Sequence, residues 1–309
     1  MKKINYIRFD WAIKRLLRQK ANYDILEGFL STVLNEDIRI KRILDEEGKI
    51  DSVDDRINRI GLLAENSAGE LYIIEVQNNR EPDFFHRVLC GITKGVTDYI
   101  SEGNAYGRVK KLYCINIIYF ELGLGKDCVY HGHTKFRGIH GNDVLWLTES
   151  SRKQLVCEAV GDVCPEYYFL RVDNFDKKTP VTQPDEWIYF LKTSEIPETA
   201  KAKGLPEARE RLRVDKMSDS DRATYNAHVE AQRYQRSVIK TGRIEGLEEG
   251  EAIGLEKGEK IGLEKGKKIG QEKTFVEIVQ NAHRNGLTVE QIRAITQLDE
   301  EQIRKIIES

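Results

Sequence analysis

The sequence predicts an α/β domain built on a mixed sheet, followed by a helical C-terminal extension. Three observations carry this. Residues 9–35 have apolar side chains at helical spacing, with Trp11, Leu16, Ile25, Phe29 and Val33 among them. A polar turn, Asn66-Ser67-Ala68-Gly69, separates two strand-like runs over 59–65 and 71–77. A second helical stretch, 83–101, then leads into the strongly apolar run 109–120. In order this reads helix, three strands, helix, strand.

Each element has its own signal. The first helical stretch breaks near Ala21-Asn22. A short strand over 38–44 and a polar acidic stretch over 45–55 follow. In the hairpin of residues 57–77, the 59–65 strand folds back antiparallel on 71–77 and brings Gly61 beside Glu75. Phe84, Val88, Leu89, Ile92, Val96 and Ile100 line one face of the next helix, and Gly103 stops it. Val129 to Phe136 is expected to pair with 109–120 across Gly123-Leu124-Gly125. Glu166 to Phe175 reads as a further strand and Asp185 to Lys192 as a helix. The region 201–239 reads as charged helix, broken near Met217-Ser218, with Ser218 an N-cap.

Four segments follow from this pass: a core over 1–150, a mixed then helical extension over 151–239, a repeat over 240–274 and a helical tail over 275–309. In the repeat, glycine occupies every fourth position from 242 to 270. Each glycine costs a helix about 1 kcal/mol relative to alanine, and Glu–Lys pairs return a few tenths. A marginal helix, stabilised by self-association or fraying, is expected, so the chain reads as a homo-oligomer. A close-packed glycine interface is the sharper alternative. The tail reads as two or three short helices capped by Thr288 and Asp299, structural or oligomerising rather than DNA-binding.

Composition bounds the function. The chain has 309 residues, 32% of them charged, and a formal net charge of -2, which removes any bulk electrostatic case for nucleic acid. A DNA site must be a local patch. No apolar run has the length of a membrane span and the N-terminus lacks a signal-peptide core. Five cysteines without Cys-x-x-Cys spacing fit a reducing cytoplasm.

The chemistry converges on the second hairpin strand, Leu71-Tyr72-Ile73-Ile74-Glu75-Val76-Gln77. Strand alternation puts Glu75 and Gln77 on one face, where a carboxylate and an amide are costly to bury without partners. Hydrolysis of a phosphodiester at neutral pH calls for a hard cation. Glu75 is a candidate ligand, and Gln77 can orient water or phosphate. Asp10 and Glu27, on the first helical stretch, reach such a site if that helix crosses the sheet. Asp10 reads rather as the cap of its helix, and Glu27 equally as a solvated face. Arg87 reads either as a phosphate-binding cation or as an ion-pair partner of Glu81 or Asp83. His131, His133 and His140 lack a completing ligand and read as a surface hairpin.

Phe9-Asp10-Trp11-Ala12-Ile13-Lys14-Arg15-Leu16-Leu17, Leu26-Glu27-Gly28-Phe29-Leu30, the strand 71–77 with its turn, Phe85-His86-Arg87-Val88-Leu89 and Tyr130-His131-Gly132 together resemble a known group. These are the Rpn-type recombination-promoting nucleases, or PD-(D/E)XK nuclease family transposases. The resemblance implies a restriction-endonuclease-like core, Mg²⁺-dependent DNA cleavage and a role in recombination, with Glu75, Gln77 and Glu27 as catalytic residues, Glu75 and Asp10 on the metal and Arg87 on DNA. It also puts the family's metal-binding aspartate eight residues before the turn glycine, at Gly61, which offers no side-chain ligand. A DNA-binding protein without catalysis, or an oligomeric interaction protein on the same fold, is the alternative.

Overall fold

Six strands form one mixed sheet in the order β1-β2-β3-β4-β6-β5: β1 (Ile40–Ile43), β2 (Leu62–Asn66), β3 (Leu71–Gln77), β4 (Leu112–Ile118), β5 (Val129–Gly132) and β6 (Glu166–Arg171). The computed structural model describes residues 4–44, 61–101, 111–155, 157–176 and 179–308. The acidic stretch expected over 45–55, the start of the first hairpin strand and the stop at Gly103 lie outside these residues.

The β2–β3 hairpin forms as the turn chemistry dictates. The Asn66 side-chain oxygen accepts the N–H groups of Ala68 (3.0 Å) and Glu70 (2.9 Å), and Gly69 takes φ +83°. Antiparallel register pairs Leu62 with Ile74. β3, β4 and β6 run parallel to one another. All seven residues of β4 are buried, which accounts for its unbroken apolar sequence.

Helix α3 (Phe84–Ser101) covers one face of the sheet. Its Phe84, Val88, Ile92 and Tyr99 join Leu71, Ile73, Leu112, Cys114 and Ile118 in one buried cluster. The expected break in the first helical stretch is present, between α1 (Phe9–Arg15) and α2 (Tyr23–Leu34). Phe9 and Phe29 meet Trp187 of α5 (Gln183–Thr193) at ring-centroid distances of 5.9 and 5.2 Å. Two short helices, α4 (Glu149–Leu155) and α6 (Leu205–Arg211), fill the connections.

One expectation is corrected. β5 does not pair with β4. It runs antiparallel to β6, with Tyr130 opposite Phe169, because β4 already has β3 on one side and β6 on the other. The Arg171 guanidinium fixes the intervening loop, donating to Gly123 O (2.8 Å) and Gly125 O (3.0 Å). The sheet continues past residue 150, since β6 belongs to it.

The chain divides into two compact units, Met1–His228 and Val229–Ser309. Helix α7 (Asp219–Arg284) takes in the whole glycine repeat and also the first expected tail helix, which is therefore not a separate element. Ser218 caps it, accepting Asp221 N–H at 3.1 Å. Within the second unit, the end of α7 packs with α8 (Val289–Thr296) and α9 (Glu300–Glu308) around fully buried Val279, Ile292 and Ile303. Thr288 opens α8 in a reciprocal cap with Gln291.

Candidate functional site

β3 presents Glu75 and Gln77 on the face that α3 covers, and Gln77 Nε2 donates to Glu75 Oε2 at 3.1 Å. Glu75 is buried, at 6% exposure. Burial raises its carboxyl above the ordinary carboxylate range, while the Gln77 hydrogen bond and the charge of Arg87 oppose the rise and Glu81 adds to it. Gly91 of α3 gives the carboxylate its space: a β-carbon there would stand 2.9 Å from Glu75 Oε1.

Gly61 lies where the hairpin register predicts. A β-carbon at Gly61 would approach Glu75 Cα to 3.2 Å and the carbonyl oxygen of Ile74 to 2.4 Å. The position is adjacent to Glu75, and the two strands meet there too closely for a side chain without a backbone shift. Arg18 Nη2 donates to Gly61 O at 2.8 Å, bringing a cation to this corner that sequence reading did not single out.

Asn116 was also missed. Parallel register sets it directly beside Glu75. It is fully buried, its Nδ2 lies 3.3 Å from Cys114 Sγ, and its Oδ1 has no hydrogen-bond partner among the described residues. An unsatisfied buried amide oxygen is costly, and this one lies next to the site carboxylate. The neighbouring Cys114 thiol is pushed up to about 12, chiefly by burial. A polar residue inside an apolar strand was the available signal.

The remaining candidates have partners of their own. Glu27 accepts the Ile40 N–H (2.8 Å) and Arg39 Nη1 (3.2 Å), which ties α2 to the start of β1. Asp10 accepts Nε and Nη2 of Arg8, both at 3.1 Å, as well as the Trp11 N–H at 3.0 Å, and lies 3.2 Å from His228 Nε2. Burial disfavours its charge, but the His228 hydrogen bond and the Arg8 pair prevail and hold its carboxyl well below the carboxylate range. Arg87 forms an ion pair with Glu81. His131 lies 2.7 Å from Glu166 and stacks on Tyr168 at the sheet edge.

No group of three or more His, Cys, Asp and Glu that could hold a metal ion occurs among the described residues. Glu75 with the amides of Gln77 and Asn116 does not enclose a Mg²⁺ ion by protein ligands alone. The set fits the usual Mg²⁺ arrangement only where substrate phosphates complete it.

No curated protein and no solved structure matched the chain. A family model described as PD-(D/E)XK nuclease family transposase matches residues 7–242, spanning the whole sheet and the Glu75-x-Gln77 strand. With that extent of match and a mixed α/β sheet to support it, the chain belongs to the PD-(D/E)XK nuclease family transposases.

Proposed function

We propose that the protein is a DNA endonuclease of the Rpn type that acts in recombination, with Glu75 and Gln77 at its reacting centre. The observation that carries this reading is the buried Glu75–Gln77 pair, hydrogen-bonded at 3.1 Å on one face of β3, within a chain of the nuclease family. When bound, Mg²⁺ would polarise the phosphate and acidify a water. The chain's own part is to bind and orient. Glu75 supplies the carboxylate, and Gln77 holds a water or a phosphate oxygen in line. Asn116, with its Oδ1 orphaned, stands directly beside Glu75 as a further acceptor. Arg87 is released from Glu81 to a DNA phosphate, a stronger acceptor for a guanidinium.

A second reading has one specific observation in its favour. Gly61 supplies no ligand where the resemblance implies an aspartate, so a DNA-binding protein without catalysis fits the same fold. We also propose a cytoplasmic setting, on the strength of five free cysteines, and self-association through the C-terminal unit. No helix among the described residues is long and apolar enough to cross a membrane.

Nicking of supercoiled plasmid in Mg²⁺ or Mn²⁺ tests the first reading. The parent protein should nick DNA, Glu75→Gln should abolish nicking, and Gln77→Ala should lower turnover more than affinity. An uncharged amide adds little to the electrostatic binding of DNA. Nicking equal in parent and Glu75→Gln would sink the assignment. A metal-free gel shift without nicking would select the second reading.

A further inference from the structure

We infer that the glycine-repeat part of α7 pairs antiparallel with the same segment of a second copy, centred on Gly258. This deepens the self-association reading above and does not depend on the nuclease reading. The whole repeat is open to solvent: every residue from 242 to 270 is exposed. It nonetheless carries Leu247, Ile253, Leu255, Ile261, Leu263 and Ile269, each between 45% and 68% exposed. Isoleucine precedes and leucine follows Gly254 and Gly262. Successive residues step about 100° around a helix, so these apolar side chains form two walls flanking the glycine line. A β-carbon at any repeat glycine from 242 to 270 would meet nothing within 4 Å.

Charge selects the occupant and its direction. Glu248, Glu249 and Glu251 concentrate acid in the first half of the repeat, and Lys265, Lys267 and Lys268 concentrate base in the second. In a parallel pair each cluster faces itself. In an antiparallel pair centred on Gly258, Glu248 comes level with Lys268, Glu249 with Lys267 and Glu251 with Lys265. Glycine then meets glycine from Gly246 to Gly270, and each isoleucine in 253–263 meets a leucine: Ile253 with Leu263 and Leu255 with Ile261. The one like-charged pairing, Arg243 with Lys273, falls at the far ends. A two-fold interface requires this self-complementarity, because residue i contacts j and j contacts i. The four-residue repeat drifts about 40° around the helix per step. A period above 3.6 wraps two helices right-handedly.

The test uses the full-length protein. Sedimentation gives its mass, and a zero-length carbodiimide at low protein concentration joins contacting Glu and Lys side chains, which peptide mass spectrometry then identifies. A dimer with Glu248–Lys268 and Glu249–Lys267 links is expected. Within one helix the first pair is about 30 Å apart, so only antiparallel partners can form it. A dimer linked only between residues three or four apart overturns the antiparallel arrangement. A monomer overturns self-association itself and leaves the nuclease reading untouched. The combined variant Glu248→Lys, Glu249→Lys, Glu251→Lys should dimerise at least tenfold more weakly. Mixing it with Lys265→Glu, Lys267→Glu, Lys268→Glu protein should restore assembly. Unchanged dimerisation of the first variant would also overturn the proposal.

Discussion

Gly91 of α3 lies against the carboxylate of Glu75 in β3, so close that a β-carbon would stand 2.9 Å from Oε1. The atom in the way is the far end of a flexible side chain, which can turn aside at little cost. Gly91→Ala is therefore expected to keep the fold and gain up to about 1 kcal/mol of helix stability while displacing the Glu75 carboxylate. Thermal melting alongside plasmid nicking checks this. Nicking at parental rate in a stable variant would show that Glu75 does not need its present position.

Glu75→Gln should stabilise the protein at neutral pH. Burial raises the folded-state carboxyl above its ordinary value of 4.5. The folded state then holds more protons than the unfolded chain between the two values, and stability falls as pH rises through that window. Each unit of such a shift corresponds to about 1.4 kcal/mol. Parent and variant should melt alike below pH 4.5 and diverge above it, the variant being the more stable. A variant less stable than its parent at pH 7 would mean the charge is compensated in the fold.

Gly61→Ala and Gly61→Asp separate sterics from chemistry. A β-carbon 2.4 Å from the Ile74 carbonyl oxygen forces β2 and β3 apart, an overpacking cost of about 1–3 kcal/mol. Both variants should melt lower than the parent. Mn²⁺ should recover stability only in the aspartate variant, where a second carboxylate stands beside Glu75. Equal Mn²⁺ responses from the two would rule out a shared ion at this position.

Asp10→Ala should cost about 3 kcal/mol, since it leaves Arg8 without its buried partner, and it should leave Mn²⁺ affinity unchanged. The Asp10 carboxyl is held below its ordinary value of 3.8. Its contribution is thus complete above that pH and is lost as pH falls through the depressed value. Denaturant titrations at pH 7 and below 3.8 should show the gap between parent and variant closing on acidification. A fall in Mn²⁺ affinity at full stability would return Asp10 to the metal site.

Sequence alone determined what neighbouring residues decide among themselves. Strand alternation put Glu75 and Gln77 on one face, and the Asn66–Gly69 turn fixed the register that sets Gly61 beside Glu75. The caps at Ser218 and Thr288 were legible for the same reason, because each rests on a contact three residues away.

Tertiary structure decided the rest of the site. Asn116 reaches Glu75 through a parallel crossover, Gly91 through the return of α3, and β5 finds β6 only because β4 is already flanked. No local pattern encodes such meetings. Asp10 is the clearest case: its position reads as a helix cap before a ligand, and His228, 218 residues along the chain, helps settle its surroundings. A carboxylate's role follows from which charges share its low-dielectric setting, and only the folded chain brings those charges together.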